Sequence, residues 1–246
     1  MTLTSGVDFE SRFNQSYNRV FTTLLASRIA ALPDGATVAE FGAGANPLVA
    51  SEPRIASGAL RYLRIDISEG ELEKGEQVGE AVVADVSSPD FNVGSPVDLA
   101  LSRMLAEHLP DGQTFLENVL RMLNPGGVYI QLSPVLFALP FIVNKLIPER
   151  SAGALLSFFA KRDPEMRGKF PADYSWCRAP SRRHVRKLEQ LGFEVEAARG
   201  YFGHLYYKRL PPVLSVERRK AAWLARRPVP ALAAYAIYVL RKPDAS

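Results

Sequence analysis

Between Phe13 and Leu32 apolar residues recur at steps of three and four: Phe13, Tyr17, Val20, Phe21, Leu24, Leu25, Ile29 and Leu32. That spacing places them on one face of a helix, and Pro33-Asp34-Gly35 ends it and turns the chain. The period then changes. Five short apolar runs follow: ATVAEF, LRYLRIDIS, EAVVADV, PVDLALS and GVYIQLS. Each has the length and composition of a buried strand. Between the last two, GQTFLENVLRML is helical, with Phe115, Leu116, Val119, Leu120 and Leu123 on one side and a stop at Pro125-Gly126-Gly127. Strands alternating with helices predict a mostly parallel, doubly wound α/β sheet covered on both faces.

After Ser133 the alternation breaks. Residues 134–179 hold no clean strand–helix unit and read as a cap inserted after the fifth strand. PSRRHVRKLEQLGF predicts a short helix with Ser181 as N-cap and Gly192 as the stop. FEVEAARGYF and LAAYAIYVLRK read as two closing strands, which makes seven. Between them PPVLSVERRKAAWLARRPVP reads as a basic amphipathic helix. The expected organisation is one integrated domain in three parts. Residues 1–133 carry the N-terminal helix and the cofactor-binding half. Residues 134–190 are the cap and its helix, and residues 191–246 the closing strands with the basic helix.

The 246 residues suit one domain of this size, and 47% hydrophobic and 23% charged residues are ordinary for a globular chain. One cysteine, Cys177, excludes an internal disulfide and a cysteine-only metal site, and His108, His184 and His204 lack zinc-like spacing, so no metal is expected. MTLTSGVDFESRF shows neither the basic start nor the apolar core of a signal peptide. The most apolar stretch, PVLFALPFIVNKLI, is short for a membrane span and is broken by Pro140, Asn144 and Lys145. A cytoplasmic protein is expected, with membrane association left open. Charge is uneven along the chain. Residues 1–123 hold nine Lys and Arg against 17 Asp and Glu, a net of −8, whereas residues 124–246 hold 21 against nine, a net of +12. The two halves therefore suit different partners.

The chemistry begins at VAEFGAGANP, Val38 to Pro47, where a strand ends in Glu40 and hands over to glycines at 42 and 44. Those glycines let backbone approach a ligand and adopt positive φ. The dinucleotide fingerprint needs a third glycine, but Asn46 and Pro47 stand there. Glu40 would also repel a pyrophosphate and welcome a positive group. S-adenosylmethionine carries an ammonium and a sulfonium and no phosphate. VAEFGAGANP, LRIDIS, VVADVSS, VDLALSRMLAEHLPD and VLRMLNPGGVYI stand in the order and at the spacing of the class I S-adenosylmethionine-dependent methyltransferases, which the chain resembles from Phe9 to Pro134.

The resemblance implies a Rossmann-like seven-stranded sheet whose last strand is antiparallel, with S-adenosyl-L-methionine as the cofactor. It implies that Glu40, Gly42, Gly44 and Asn46, the last in place of a glycine, hold the methionine part. Asp66, followed by Ile67, would accept both ribose hydroxyls, which suits a group able to take two hydrogen bonds. Asp85 would accept from the adenine amino group, the Val86 N–H would meet a ring nitrogen, and Ser102 and Arg103 would lie beside the methionine moiety. AEHLPD resembles the small-molecule branch of the family. The motif of the nucleic-acid amino-methylating branch is absent, SRML standing in its place. Cys177, in SWCRAP, does not match the cysteine nucleophile of the cytosine-methylating branch.

Methyl transfer requires alignment of the acceptor and exclusion of water, and a hydroxyl acceptor must lose a proton. The candidates are His108 and Tyr174, with His184, a surface residue by its helix, and His204 behind them. Phe170, Tyr174 and Trp176 are candidates to line an acceptor pocket. Apolar residues 134–155 and the basic set Lys208, Arg209, Arg218, Arg219, Lys220, Arg226 and Arg227 suit an amphiphilic acceptor at an anionic membrane surface. Without aromatic interleaving the basic segment does not favour nucleic acid. The expected function is methyl transfer to a small or amphiphilic acceptor: a glycolipid, a lipid-linked sugar or a prenylated or aromatic metabolite. A nicotinamide oxidoreductase and a non-catalytic cofactor-binding peripheral membrane module remain alternatives.

Overall fold

In a computed structural model, residues 6–135, 173–205, 207 and 210–245 are described. Eight strands form one sheet in the order β1-β7-β8-β6-β5-β2-β3-β4. Their bounds are β1 Gly6–Ser11, β2 Thr37–Phe41, β3 Arg61–Asp66, β4 Glu80–Val83, β5 Val97–Arg103, β6 Leu123–Pro134, β7 Glu194–Phe202 and β8 Tyr235–Arg241. Only β8 runs antiparallel, between β6 and β7. Among the described residues the α-helices are α1 Tyr17–Ala31, α2 Pro53–Ala56, α3 Glu69–Lys74, α4 Gly112–Met122, α5 Arg182–Gln190 and α6 Pro211–Arg226.

The sheet is the expected one with an extra edge strand. The expected count was seven; β1 makes eight. GVDFES alternates, but with only Val7 and Phe9 as apolar residues the run is too short to mark a strand by itself. It is fixed by partners distant in sequence. Asp8 lies opposite Arg199 of β7, and the guanidinium donates to the Asp8 carboxylate (2.7 Å from Nε). The central strands show the period of two that places successive side chains on opposite faces. Val38, Leu99, Leu101 and Ile130 join the core under α1; Ala39, Ala100 and Tyr129 join the core under α4, α5 and α6. From α1 come Tyr17, Val20, Phe21, Leu24, Leu25 and Ile29, all buried. Each such large apolar side chain contributes roughly 1.5–3 kcal/mol by leaving water.

Two details refine the expected boundaries. Helix α4 ends at Met122, and Asn124-Pro125-Gly126-Gly127 lies within β6, where the pairing register with β5 shifts. The proline and glycines therefore make an irregularity in the strand as well as following the helix. β3 carries a guanidinium into the interior. Arg64 is 1% exposed and donates to the carbonyls of Val78 (2.9 Å) and Leu72 (3.0 Å), fastening the α3–β4 connection onto the sheet. Winding reverses between β2 and β5, and the crevice at the carboxyl ends of those strands is where an open α/β sheet receives a ligand. Most of the expected cap, including Phe170, lies outside the described residues.

Candidate active site

At the reversal point the β2–α2 turn is held from three sides. Gly42 (φ +68°) and Gly44 (φ +43°) both adopt left-handed backbone, which glycine enters without a Cβ penalty. A Cβ on Gly42 would also come 3.1 Å from Leu105 Cδ1, so the loop after β5 closes on the turn. The Gly44 N–H donates to Asp66 Oδ2 (3.1 Å), joining the turn to the end of β3. The other Asp66 oxygen accepts from the Ser68 N–H (2.9 Å).

Glu40 holds the turn from below. It is 2% exposed; its carboxylate accepts from the Leu48 N–H (2.9 and 3.0 Å) and from the Tyr62 hydroxyl (2.6 Å). Burial pushes its pKa up to about 7, against the lowering effect of those bonds and of Arg103. The expectation that Glu40 presents a full negative charge to a ligand is therefore corrected. Its oxygens are engaged with protein, and it shapes the site through the turn. The negative lining comes from the next two strands. Asp66 ends β3, and Asp85 stands exposed two residues beyond β4, with one oxygen taking the Ser87 N–H (2.9 Å) and hydroxyl (2.7 Å). Between these carboxylates Ile67 is 61% exposed, a large apolar side chain left in solvent at the rim.

The remaining expected residues divide. Asn46 is exposed on the turn and Arg103 at the end of β5. Ser102 is wholly buried and bonded to the Tyr129 hydroxyl (2.6 Å) in the layer below, so only its backbone faces the crevice. Val86 is buried, and its carbonyl accepts from Asn118 Nδ2 (2.9 Å). Asn118 of α4 also donates to the Ser88 carbonyl (2.7 Å), and so fixes the Asp85 loop from beneath. Neither this residue nor Glu107 was singled out by the sequence; the only signal for Asn118 is a polar residue on the apolar face of α4.

His108 and Tyr174 are brought to one place. The Tyr174 N–H donates to the Glu107 carbonyl (3.1 Å), which ties residues 173–178 to the loop after β5. Tyr174 itself is 3% exposed with φ +52° and packs into the core, while His108 is partly open, its Nε2 3.8 Å from Glu107 Oε1. Glu107 is 5% exposed, Oε2 has no hydrogen-bond partner, and burial raises its pKa to about 8. His184, expected at the surface, is 6% exposed, because α5 turns it into contact with Trp176 and Tyr238. His204 is buried beyond β7, 3.6 Å from Glu217. Cys177 is 1% exposed and burial keeps its thiol protonated, unsuited to nucleophilic attack. Among the described residues no cluster of three metal-ligating side chains occurs.

A family profile described as a methyltransferase domain matches residues 40–131, from Glu40 at the turn to Gln131 in β6. Residues 40–131 therefore carry a methyltransferase domain. The fold of the chain is similar to that of phosphoethanolamine N-methyltransferase 2 of Haemonchus contortus in complex with S-adenosyl-L-methionine (TM-score 0.54, 15% identity). That likeness covers 93% of this chain and 53% of that one, so the chain spans about half the length of the nematode protein. It is also similar to the N-methyltransferase NodS of Bradyrhizobium japonicum in complex with S-adenosyl-L-homocysteine (0.51, 12%, covering 95% and 91%). A third similar structure is the [4+2]-cyclase SpnF (0.53, 16%, covering 100% and 88%). At these identities the likeness is one of fold. No curated protein matches the sequence.

S-adenosylmethionine is the cofactor of the family, and the rim fits it. Glycine backbone leaves room for the methionine part, Asp66 and Asp85 offer acceptors for hydroxyl and amine, and exposed Ile67 offers an apolar face to a base. The bound cofactor supplies an electrophilic methyl group; the chain's part is to seat it, align an acceptor and exclude water.

Proposed function

We propose that this methyltransferase acts on a small or amphiphilic acceptor, of the class of glycolipids, lipid-linked sugars or prenylated and aromatic metabolites. We also propose that it works beside an anionic membrane surface. The observation that carries the cofactor side is the Gly44–Asp66 bond, which joins the glycine turn and the β3 carboxylate into one rim. The acceptor side is supported by α6. Val213, Val216 and Trp223 are 42%, 64% and 52% exposed along one stripe that also holds Lys220 and Arg227, with Arg219 and Arg226 on one side of it, while Arg218 turns away to the Phe13 ring. An exposed apolar stripe with cationic neighbours and a tryptophan suits the headgroup region of a bilayer. Lys208 and Arg209 lie outside the described residues. No described helix is long and apolar enough to cross a membrane, so the contact would be peripheral.

His108 is the proposed proton acceptor where the acceptor atom is a hydroxyl, being the partly exposed histidine of the loop that closes on the glycine turn. The readings with a nicotinamide or without catalysis find less support: Asn46 and Pro47 stand where a dinucleotide site needs its third glycine, and the matching profile is that of a methyltransferase domain, although SpnF bears a cyclase's name on a similar fold. Transfer of labelled methyl from S-adenosylmethionine into a lipid and metabolite extract, followed by partition, tests the proposal. A labelled product in the amphiphilic fraction is expected. Cofactor binding with no labelled product in any extract would leave the non-catalytic reading. Sedimentation with anionic but not zwitterionic vesicles at low salt is expected, and equal recovery with both would remove the membrane surface.

A further inference from the structure

A cavity of about 630 Å³ lies well away from the glycine turn. It is lined by Arg178, Arg183, Lys187, His184, Ser181 and the Val229–Ala231 stretch. Its place in the fold is on the reactive side of the sheet. Helix α5 precedes the parallel strand β7 and runs opposite to it, so its N-terminus lies at the carboxyl ends of the strands. Val229–Ala231 leads into β8, whose first residue Tyr235 lies opposite Pro134, the last of β6. The segment carrying Arg178 is bound to the loop of Glu107 and His108 through the Tyr174 N–H. The cavity and the cofactor rim therefore share one edge of the sheet and one connecting segment.

Three cationic side chains line the cavity and, among the described residues, no carboxylate does. Arg178 is held in place, with Nη1 donating to the Tyr174 carbonyl (2.8 Å), and Lys187 Nζ sits 5.6 Å from the Trp176 ring centroid. The first turn of α5 adds the positive end of a helix, with Ser181 Oγ accepting from the His184 N–H (3.2 Å). His184 supplies an independent sign. Its ring is 6% exposed, borders the cavity, and touches Trp176 and Tyr238. Neither ring nitrogen has a hydrogen-bond partner among the described residues. The ring is not among the sealed, unsatisfied groups of the interior, so its nitrogens are reached from the cavity, where they and three cations are available to an anion.

We propose that this cavity binds a phosphate group, and that, resting on the methyl-transfer reading, this phosphate belongs to the methyl acceptor. The arginine forks and the lysine give charge-assisted hydrogen bonds to phosphate oxygens. His184 completes the shell from the floor. The apolar wall at Val229–Ala231 accommodates the group that carries the phosphate. That carrier is a soluble phosphomonoester or a lipid, and the same site chemistry serves both.

His184 also provides the readout. Burial first, then Arg178 and Lys187, push its pKa down to about 4, and a bound dianion facing the same two cations and Arg183 reverses that push. The full chain, with ring nitrogens observed by NMR, is titrated with phenyl phosphate at low ionic strength. Saturable binding is expected, with the His184 titration moving up toward its ordinary range. Arg183→Glu combined with Lys187→Glu, both exposed on α5, should weaken phenyl phosphate at least tenfold and leave S-adenosylhomocysteine affinity unchanged. Sedimentation with phosphatidic acid vesicles, with and without competing phenyl phosphate, separates the carriers. Competition assigns the lipid headgroup to this cavity, and no competition assigns a soluble phosphomonoester. S-adenosylhomocysteine binding with no shift of His184 on adding phenyl phosphate would overturn the proposal, as would equal phenyl phosphate affinity in the double variant. Phenyl phosphate binding without any S-adenosylhomocysteine binding would uphold the anion site and remove the acceptor role.

Discussion

The two ends of the reactive edge are built from opposite charges. Around β2, β3 and β4 the polar side chains are carboxylates, Asp66 and Asp85, set about an exposed isoleucine. Around β6, β8 and α5 they are Arg178, Arg183 and Lys187, set about a buried histidine. The first end offers acceptors to the hydroxyls and amino group of a nucleoside, and the second suits an anionic acceptor. The ends also differ in how they are made. The acidic end is assembled from residues at or just beyond the ends of consecutive strands, whereas the basic end takes its cations from residues 178–187 and its apolar wall from Val229–Ala231.

Substitutions should separate the ends. Asp66→Ala should have the largest effect, on the cofactor alone. It removes the acceptor for Gly44 and for the ribose together, and 1.5–3 kcal/mol, on the order of 10–100-fold in S-adenosylhomocysteine affinity, is expected. Unchanged calorimetric affinity would take Asp66 out of the site. Asn118→Ala comes next. It leaves the carbonyls of Val86 and Ser88 without their buried donor and should lower stability by roughly 1–3 kcal/mol. It should also weaken the cofactor several-fold through the Asp85 loop, with phenyl phosphate binding untouched.

Glu107 lies between the ends and reports through pH. Its folded pKa is raised by burial from 4.5 to about 8 and that of Glu40 to about 7. Each therefore stabilises fully below about pH 4.5, and that contribution is lost as pH rises toward 8, where the folded form must release a proton it holds more tightly than the unfolded chain does. Glu107→Gln should flatten the fall in urea-unfolding free energy between about pH 5 and 8 by about 1 kcal/mol per pH unit. An identical slope would show that Glu107 is not buried as described. The smallest effect is expected for Asp111→Ala. Asp111 caps α4, accepting from the Gln113 and Thr114 N–H groups (both 3.0 Å), and its loss should lower stability by about 1 kcal/mol with both ligands still bound.

The acidic end was legible in the sequence because its signals are local. Glycine at 42 and 44 forces a turn wherever the chain goes, and a carboxylate closing an apolar run falls at a strand end. What local signals did not reveal was where each carboxylate points. Glu40 turns inward to Leu48 and Tyr62, and Ser102 turns down to Tyr129, since alternate residues of a buried strand face opposite layers. The edge strand β1 was hidden because its alternation holds only two apolar residues, Val7 and Phe9, and its pairing with β7, including Asp8 with Arg199, joins parts distant in sequence. His184 read as a surface residue because Arg182, Arg183, Arg186 and Lys187 surround it in sequence, although the helix turns it alone toward Tyr238. The basic cavity was illegible because Arg178, Arg183 and Lys187, close together in the chain, read as one solvated basic face, while Val229–Ala231, which completes the lining, is distant in sequence.

The central claim is that the glycine turn and the Asp66–Asp85 rim form one S-adenosylmethionine site, and calorimetry tests it most directly. The purified chain is titrated with S-adenosylhomocysteine and, separately, with NADH. Saturable binding of S-adenosylhomocysteine at one site per chain, abolished or much weakened by Asp66→Ala, with no heat from NADH, is the expected result. NADH binding that Asp66→Ala weakens, or no binding of S-adenosylhomocysteine by a folded chain, would contradict it.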